Sequence, residues 1–478
     1  MKLTGRITDA STGHPVEARV EVLTSSGHFA HPKDAILKVG PGRPFFYSDG
    51  SFAVDVGCGR TRVVVERGTE YEPYSMTVEA TTAGTMAVDI PLTRWTTLGE
   101  QGWHPGNTHI HYDHNEQRPD ERLRLDPRVE DLRVTAISVL TRWDLPYASN
   151  KYSPGFLTDF STDHHYVECG EECRHNDSAD SIEHGYGHVM FLRIKDIVEP
   201  ISRGFLVDET DPDYPPLSLA CDEARAQGGL VIWCHNGRGM EAPVAAALGK
   251  LDAINLFDPF WQDPEYDLWY DMLNCGITLP ASTGSDWFVC SANRVYVDTA
   301  GDFEPDAWYR GLSEGRTFVT NGPALFMEAN GQRPGDTLEL EPGSTAHVTV
   351  SWHSFYSVDT VQIIRNGRVV HDHRMDTLAG ELSVEIEIPE DGWLAARLAS
   401  NVRDSFHQPL FAHTSPLYVK CGRPNASAGP AATAFVRKLD EALEWTATKG
   451  KYRTAAHQRE VQDLFREAQD VYRRWSRR

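Results

Sequence analysis

The sequence predicts an α/β domain with a mostly parallel sheet, flanked by two small β-sandwiches and closed by a helical tail. Three observations predict it. Alternating apolar and polar runs fill both flanks. Strand-like and helix-like runs take turns between them, and a helical stripe ends the chain. At 478 residues the chain exceeds one ordinary core, so several domains are expected.

Residues 1–95 carry the short alternating runs ARVEVL, SFAVDV, TRVVVER and MAVDIPL. Turn signals at DASTGHP, Asp49-Gly50 and Gly57 to Gly59 separate them, which predicts a β-sandwich. Residues 96–320 change character. LRVTAISVL, LVIWCH and ITLPAST read as strands; SLACDEARAQGG, Tyr266 to Asn274 and Glu304 to Glu314 read as helices. This alternation predicts a mostly parallel sheet, open or closed into a barrel. Residues 321–422 return to strands, HVTVSW, TVQIIRNGRVV and LSVEIEIP, and Asn366-Gly367 signals a hairpin. In the tail, residues 423–478, Val461, Leu464, Phe465, Ala468, Val471, Tyr472 and Trp475 fall on one helical stripe. That stripe suits a tail packed on the body, or alternatively a dimerisation helix that would make the protein a homo-oligomer.

The formal net charge of −23 argues against nucleic acid or an anionic membrane as partner, since both need clustered Lys and Arg. The basic run Arg473, Arg474, Arg477 and Arg478 suits a helix C-terminus. MKLTGRITDAST has no apolar core of signal-peptide length, and no stretch approaches the roughly 20 apolar residues that span a bilayer. Eight scattered cysteines suit a reducing compartment. A cytoplasmic protein acting on a small molecule is therefore expected.

Candidate chemistry sits where strands meet loops, as α/β folds place it. In GNTHIH, His109 and His111 are two apart and share one strand face. Alone, such a pair also arises from chance and packing. Glu172 follows Gly170 in CGEEC, His188 precedes the apolar run VMFL, His235 ends LVIWCH, and Asp286 follows Gly284-Ser285. Glu171 competes with Glu172, and His184 with His188. His164, His165, Cys169, Cys173 and His175 form a dense group, read as a polar loop near the site or a separate zinc site. His104, Asn236, Arg142 and Arg294 are candidates for contacting the ligands or the substrate.

The order HxH, GxE, GH before an apolar run, strand-ending His and GSD resembles the PHP metal-dependent hydrolases. Within them it is similar to the CehA/McbA-type branch, named for carbamate and amide pesticide hydrolases. The likeness covers the central domain and extends to TFVTNGPAL, DGWLAARLAS and FAHTSPLYV. It implies a PHP-type barrel-like central domain with two divalent metals. One would be held by His109, His111, Glu172 and Asp286; the other by Glu172, His188 and His235, with Glu172 bridging. Many PHP enzymes hold a third metal. Here Trp143 and Phe288 stand where two of its ligands would be, and His114 lacks partners, so a binuclear centre is implied.

Histidine and carboxylate donors suit Zn²⁺, with Mn²⁺ or Fe²⁺ as alternatives. The expected chemistry is hydrolysis by a metal-bridging hydroxide. Metals can lower the pKa of water from 15.7 to about 7, on the order of 12 kcal/mol of help. Glu172 would bridge, and Asp286 would take the proton as well as bind metal. Trp103, Trp143, Leu145, Trp287 and Phe288 could line an apolar wall. Without a third metal, an amide, carbamate or ester bond is expected rather than a phosphate monoester. A phosphodiester is the alternative, and a non-catalytic scaffold with a relic site is a third reading.

Overall fold

The computed structural model describes residues 1–80, 84–143, 146–178, 185–257, 265–286 and 291–477. At the N-terminus, Lys2–Asp9, Ser51–Asp55 and Thr85–Leu92 form one sheet. Ala18–Leu23, Phe46–Ser48, Gly59–Glu66 and Tyr74–Ala80 form another. Their alternate residues, including Leu3, Ile7, Val20, Val22, Val63, Val65 and Ile90, share one core. The alternation read from the sequence is thus the inward face of two packed sheets.

The central sheet is mixed and curled. Trp103–Ile110 runs parallel to Val134–Val139, which runs parallel to Tyr166–Asn176. The next two steps are antiparallel, to Gly187–Leu192 and then to Leu230–Trp233. Two parallel steps follow, through Ala253–Asn255 to Ala281–Ser282. The antiparallel steps depart from the mostly parallel expectation. Residues 177–186 are too few for the crossover that a parallel partner needs, so the strand bearing His188 returns as a hairpin. Beyond Ser282 the chain swings back onto the first strand. Ser285 and Asp286 each donate a backbone N–H to the His109 carbonyl at 2.8 Å, and His111 donates to the Asp286 carbonyl at 3.0 Å. This curl brings the two ends of the sheet together.

The expected helices form at Leu217–Ala226, Asp267–Asn274 and Pro305–Ser313. Pro119–Val129 was not legible as one, because its buried face includes Arg122, Asp126 and Pro127.

In the C-terminal β region, Ser344–Arg365 and Arg368–Ile388 form a long hairpin. Its turn residues Asn366 and Gly367 have φ of 49° and 82°, the positive values that a two-residue hairpin loop favours. This region has its own core around Val348, Val350, Ile363, Leu394 and Leu417. The sheet, however, is continuous across residue 320. Thr317–Thr320 pairs with Arg294–Asp298 on one side and with Pro409–Thr414 on the other.

The tail forms two helices, Ala428–Thr448 and Ala455–Trp475. Val461, Phe465, Ala468 and Tyr472 are buried in the core of the central domain. The Tyr472 hydroxyl donates to the Pro243 carbonyl at 2.8 Å. The body of the protein therefore covers most of the stripe. No helix among the described residues is long and apolar enough to cross a membrane.

One buried acid makes the fold pH-sensitive. Glu168 lies beside Tyr166 and accepts the Arg193 backbone N–H at 3.3 Å. Burial pushes its carboxyl up to about 7. The folded state then keeps a proton that the unfolded chain loses at lower pH. Stability from this group is full at low pH and declines as pH rises to about 7, by on the order of 3 kcal/mol. Glu168→Gln should therefore gain on the wild type between pH 5 and 7 in thermal melts, and hold that gain above. A constant difference across pH would contradict this assignment.

Candidate metal centre

Strand geometry assembles the site. His109 is the last residue but one of the Trp103–Ile110 strand and His111 follows it; Ile110, between them, points into an apolar cluster instead. Asn107 fixes this end of the strand. Its Oδ1 accepts the His109 and Ser285 N–H groups, and its Nδ2 donates to Ser285 Oγ at 2.5 Å. Gly284 is required by proximity, because a Cβ there would stand 2.5 Å from the His109 Cβ. The close approach delivers Asp286 to the histidine pair. Asp286 and His235 both have positive φ, 55° and 51°. Non-glycine residues held this way are uncommon and concentrate at functional sites.

On Tyr166–Asn176 the face alternates. Glu172, Arg174 and Asn176 share one face; Cys169, Glu171, Cys173 and His175 take the other. The choice between the two glutamates follows from this. Glu171 turns away and accepts the Val198 N–H at 2.7 Å, with burial raising its carboxyl to about 8. Glu172 enters the cluster.

Two donor groups result: His109, His111, Glu172 and Asp286; and Glu172, His188 and His235. All six side chains are buried. His111 Nε2 is 3.1 Å from Glu172 Oε2 and 3.6 Å from Asp286 Oδ1. His109 Nε2 is 3.4 Å from Asp286 Oδ1 and 2.9 Å from His111 Nε2. On the other side, His188 Nδ1 is 3.0 Å from Glu172 Oε1 and 2.9 Å from His235 Nε2.

Outer partners set the tautomers. His111 Nδ1 lies 3.1 Å from the Ser138 carbonyl, so it carries the proton there and leaves the Nε2 lone pair facing the cluster. His188 Nε2 lies 2.8 Å from Asn176 Oδ1, which leaves the Nδ1 lone pair facing inward. Burial, then the Arg174 charge, pushes His188 down to about 3, so the ring is neutral. Despite burial, the Arg174 charge holds Glu172 well below the usual carboxylate range. A neutral imidazole lone pair thus faces a carboxylate oxygen, and Glu172 Oε1 has no hydrogen bond among the described residues. Converging lone pairs of this kind fit a divalent cation, and these donor types suit one.

Other sequence candidates fall elsewhere. Arg294 is not in the cluster. Its guanidinium donates to the Glu130 carbonyl at 2.7 Å, the Glu130 carboxylate at 3.0 Å and the Ala292 carbonyl at 2.8 Å. His104 and Trp103 open the strand near whose end His109 lies, roughly 20 Å away at the rise of an extended chain. His104 Nε2 pairs with the Gly301 carbonyl, and Trp103 packs on Phe318 and Phe326. Neither lines the site.

Arg142 is half-buried on the loop after Val134–Val139, where its charge reaches Tyr147. Asn236 adjoins His235 and accepts the Phe257 N–H at 2.5 Å. His114 is exposed beside Asp113, and Trp143 is 61% exposed. Cys169, Cys173 and His175 lie on the strand Tyr166–Asn176 rather than in a polar loop, and the alternative of a separate zinc site does not assemble among the described residues. Cys173 faces Arg203, His175 pairs with Asp213 at 2.7 Å, and His165 contacts the Leu132 carbonyl. Leu145, His184, Trp287 and Phe288 lie outside the described residues.

The sequence reading missed Arg174, Asn176 and Tyr147. Counting by twos from Glu172 finds the first two. No family model matches this chain, and no curated protein matches it.

Arg294 and Arg19 are the cations beside the fully buried Glu130. Removing one partner of such a group costs ~3–5 kcal/mol. Arg294→Met should lower the melting temperature by several degrees while bound metal per folded chain stays at the wild-type level. Loss of metal without a stability change would place Arg294 in the site after all.

Proposed function

We propose that this chain is a metal-dependent hydrolase of the PHP type, similar to the CehA/McbA-like branch, with a binuclear centre. One observation carries this reading: two buried donor groups share the single carboxylate Glu172. His109, His111 and Asp286 would hold one ion, His188 and His235 the other, and Glu172 would bridge. Zinc is the ion we favour, because four imidazoles and two carboxylates suit it.

Two such ions supply Lewis acidity, which polarises a carbonyl or phosphoryl oxygen and makes water nucleophilic near neutral pH. The protein's own groups do the rest. Asn176 and Ser138 fix which imidazole nitrogens face inward. Asp286 reaches both halves, with Oδ1 near His109 and His111 and Oδ2 3.8 Å from His235 Nδ1. It is the group we assign to take the proton from water.

For the bond cleaved we favour an amide, carbamate or ester. His114 stands exposed and apart, and Trp143 takes the place of another ligand, so nothing described supports a third ion for a phosphate monoester. A phosphodiester is the second reading, favoured by the buried cation Arg174 beside Glu172.

Metal content after gel filtration should be about two per chain in the wild type, and His109→Ala and Glu172→Gln should each lose at least half of it. Less than one tightly bound ion in the wild type would overturn the enzyme reading and leave a scaffold. For the bond, an aryl ester and an aryl carbamate should be turned over beside bis(p-nitrophenyl) phosphate. Turnover of the phosphate alone would reverse our preference.

A further inference from the structure

Arg174 is 4% exposed, two residues beyond Glu172 on the same strand face and directly across the hairpin from His188. Its Nε lies 3.5 Å from Glu172 Oε2, an ion-pair distance without a hydrogen bond. Both Nε and Nη1 are buried and have no hydrogen-bond acceptor among the described residues. A buried guanidinium normally has its donors satisfied, because stripping water from them is costly. Among the described residues this one has a carboxylate for charge, leaves Nε and Nη1 unsatisfied, and has the Tyr147 hydroxyl as its neighbour.

The surroundings give that fork a purpose. Glu172 Oε2 also faces His111 Nε2, so Arg174 lies on the side of the His109, His111 and Asp286 group. Tyr147, itself buried, stands at the same corner. Its ring centroid is 6.4 Å from that of His111. The guanidinium favours its phenolate form, although burial dominates and raises the phenol. Arg142, half-buried on the same loop, adds a second positive charge towards Tyr147. Should Glu172 be engaged by two cations, as proposed above, Arg174 loses that counter-charge. Two divalent ions then face two carboxylates, and a buried arginine adds to the excess of positive charge.

We propose that Arg174, with Tyr147 beside it, is a substrate-anion receptor: it binds an oxyanion group, carboxylate or phosphoryl, carried next to the bond that is cleaved. Arginine suits this task because its planar fork gives two parallel, charge-assisted hydrogen bonds to such a group. The inference rests on the hydrolase reading and narrows its substrates to anionic ones.

The test is anion binding by the zinc-loaded protein, measured by calorimetry with metal content determined on the same samples. The probes are benzoate, inorganic phosphate and neutral benzamide. The wild type should bind one of the two anions, and which one tells a carboxylate from a phosphoryl substrate. Arg174→Met should weaken that binding at least about tenfold, with Arg174→Lys in between, at unchanged metal content. Benzamide should not distinguish the variants.

Equal anion affinity in Arg174→Met at full metal content would overturn the proposal and leave the metal centre standing. So would a fully loaded wild type that binds neither anion. If Arg174→Met lost metal, yet its loaded fraction bound the anion as the wild type does, Arg174 would only position Glu172, and the receptor would be refuted. A wild type without metal fails at the earlier step and takes this inference with it.

Discussion

The Glu172 carboxylate, buried among imidazole nitrogens, is the constraint on which the site depends. Its Oε1 meets the inward-facing nitrogen of His188 at 3.0 Å, and its Oε2 meets that of His111 at 3.1 Å. Outer hydrogen bonds to Asn176 and Ser138 turn lone pairs, not protons, toward it. Buried acceptors that face one another are unfavourable unless something positive lies between them. The fold holds this arrangement with strained backbone at His235 and Asp286 and a close approach at Gly284. Such strain persists only where the surroundings over-determine it.

What over-determines it is the curled sheet and what packs behind it. One face of Tyr166–Asn176 serves the cluster; the other anchors the strand. His175 pairs with Asp213 and stacks on Tyr186, whose hydroxyl meets Tyr452 of the tail at 3.1 Å. Trp445 of the first tail helix reaches Asp177, next to Asn176. The C-terminal helices thus brace the hairpin that presents Glu172, Asn176 and His188. The dense Cys and His group of the sequence belongs to this bracing rather than to a metal site of its own.

Much of the site was legible because His109, His111, His188, His235 and Asp286 lie near strand ends, where residue type and position speak together; Glu172 instead lies within Tyr166–Asn176. The choice of Glu172 over Glu171 was legible only as a spacing; the strand face decides it physically. Arg174 and Asn176 were equally accessible by the period of two, but an arginine and an asparagine are not metal donors and so drew no attention. Trp103 and His104 were misplaced because they share a strand with His109, though six residues of extended chain put them at its far end. Arg294 was misread for a deeper reason. Its partner Glu130 is remote in sequence, and no local pattern reveals such a pair. The same holds for the antiparallel turn of the central sheet, set by the length of one connection rather than by any run of residues.

The central claim is that Glu172 sits between two cations. Crystals of the zinc-loaded protein, measured on both sides of the zinc absorption edge, test it directly. The account predicts two anomalous peaks flanking Glu172, one among His109, His111 and Asp286 and one between His188 and His235. A single peak, or peaks away from these side chains, would contradict it.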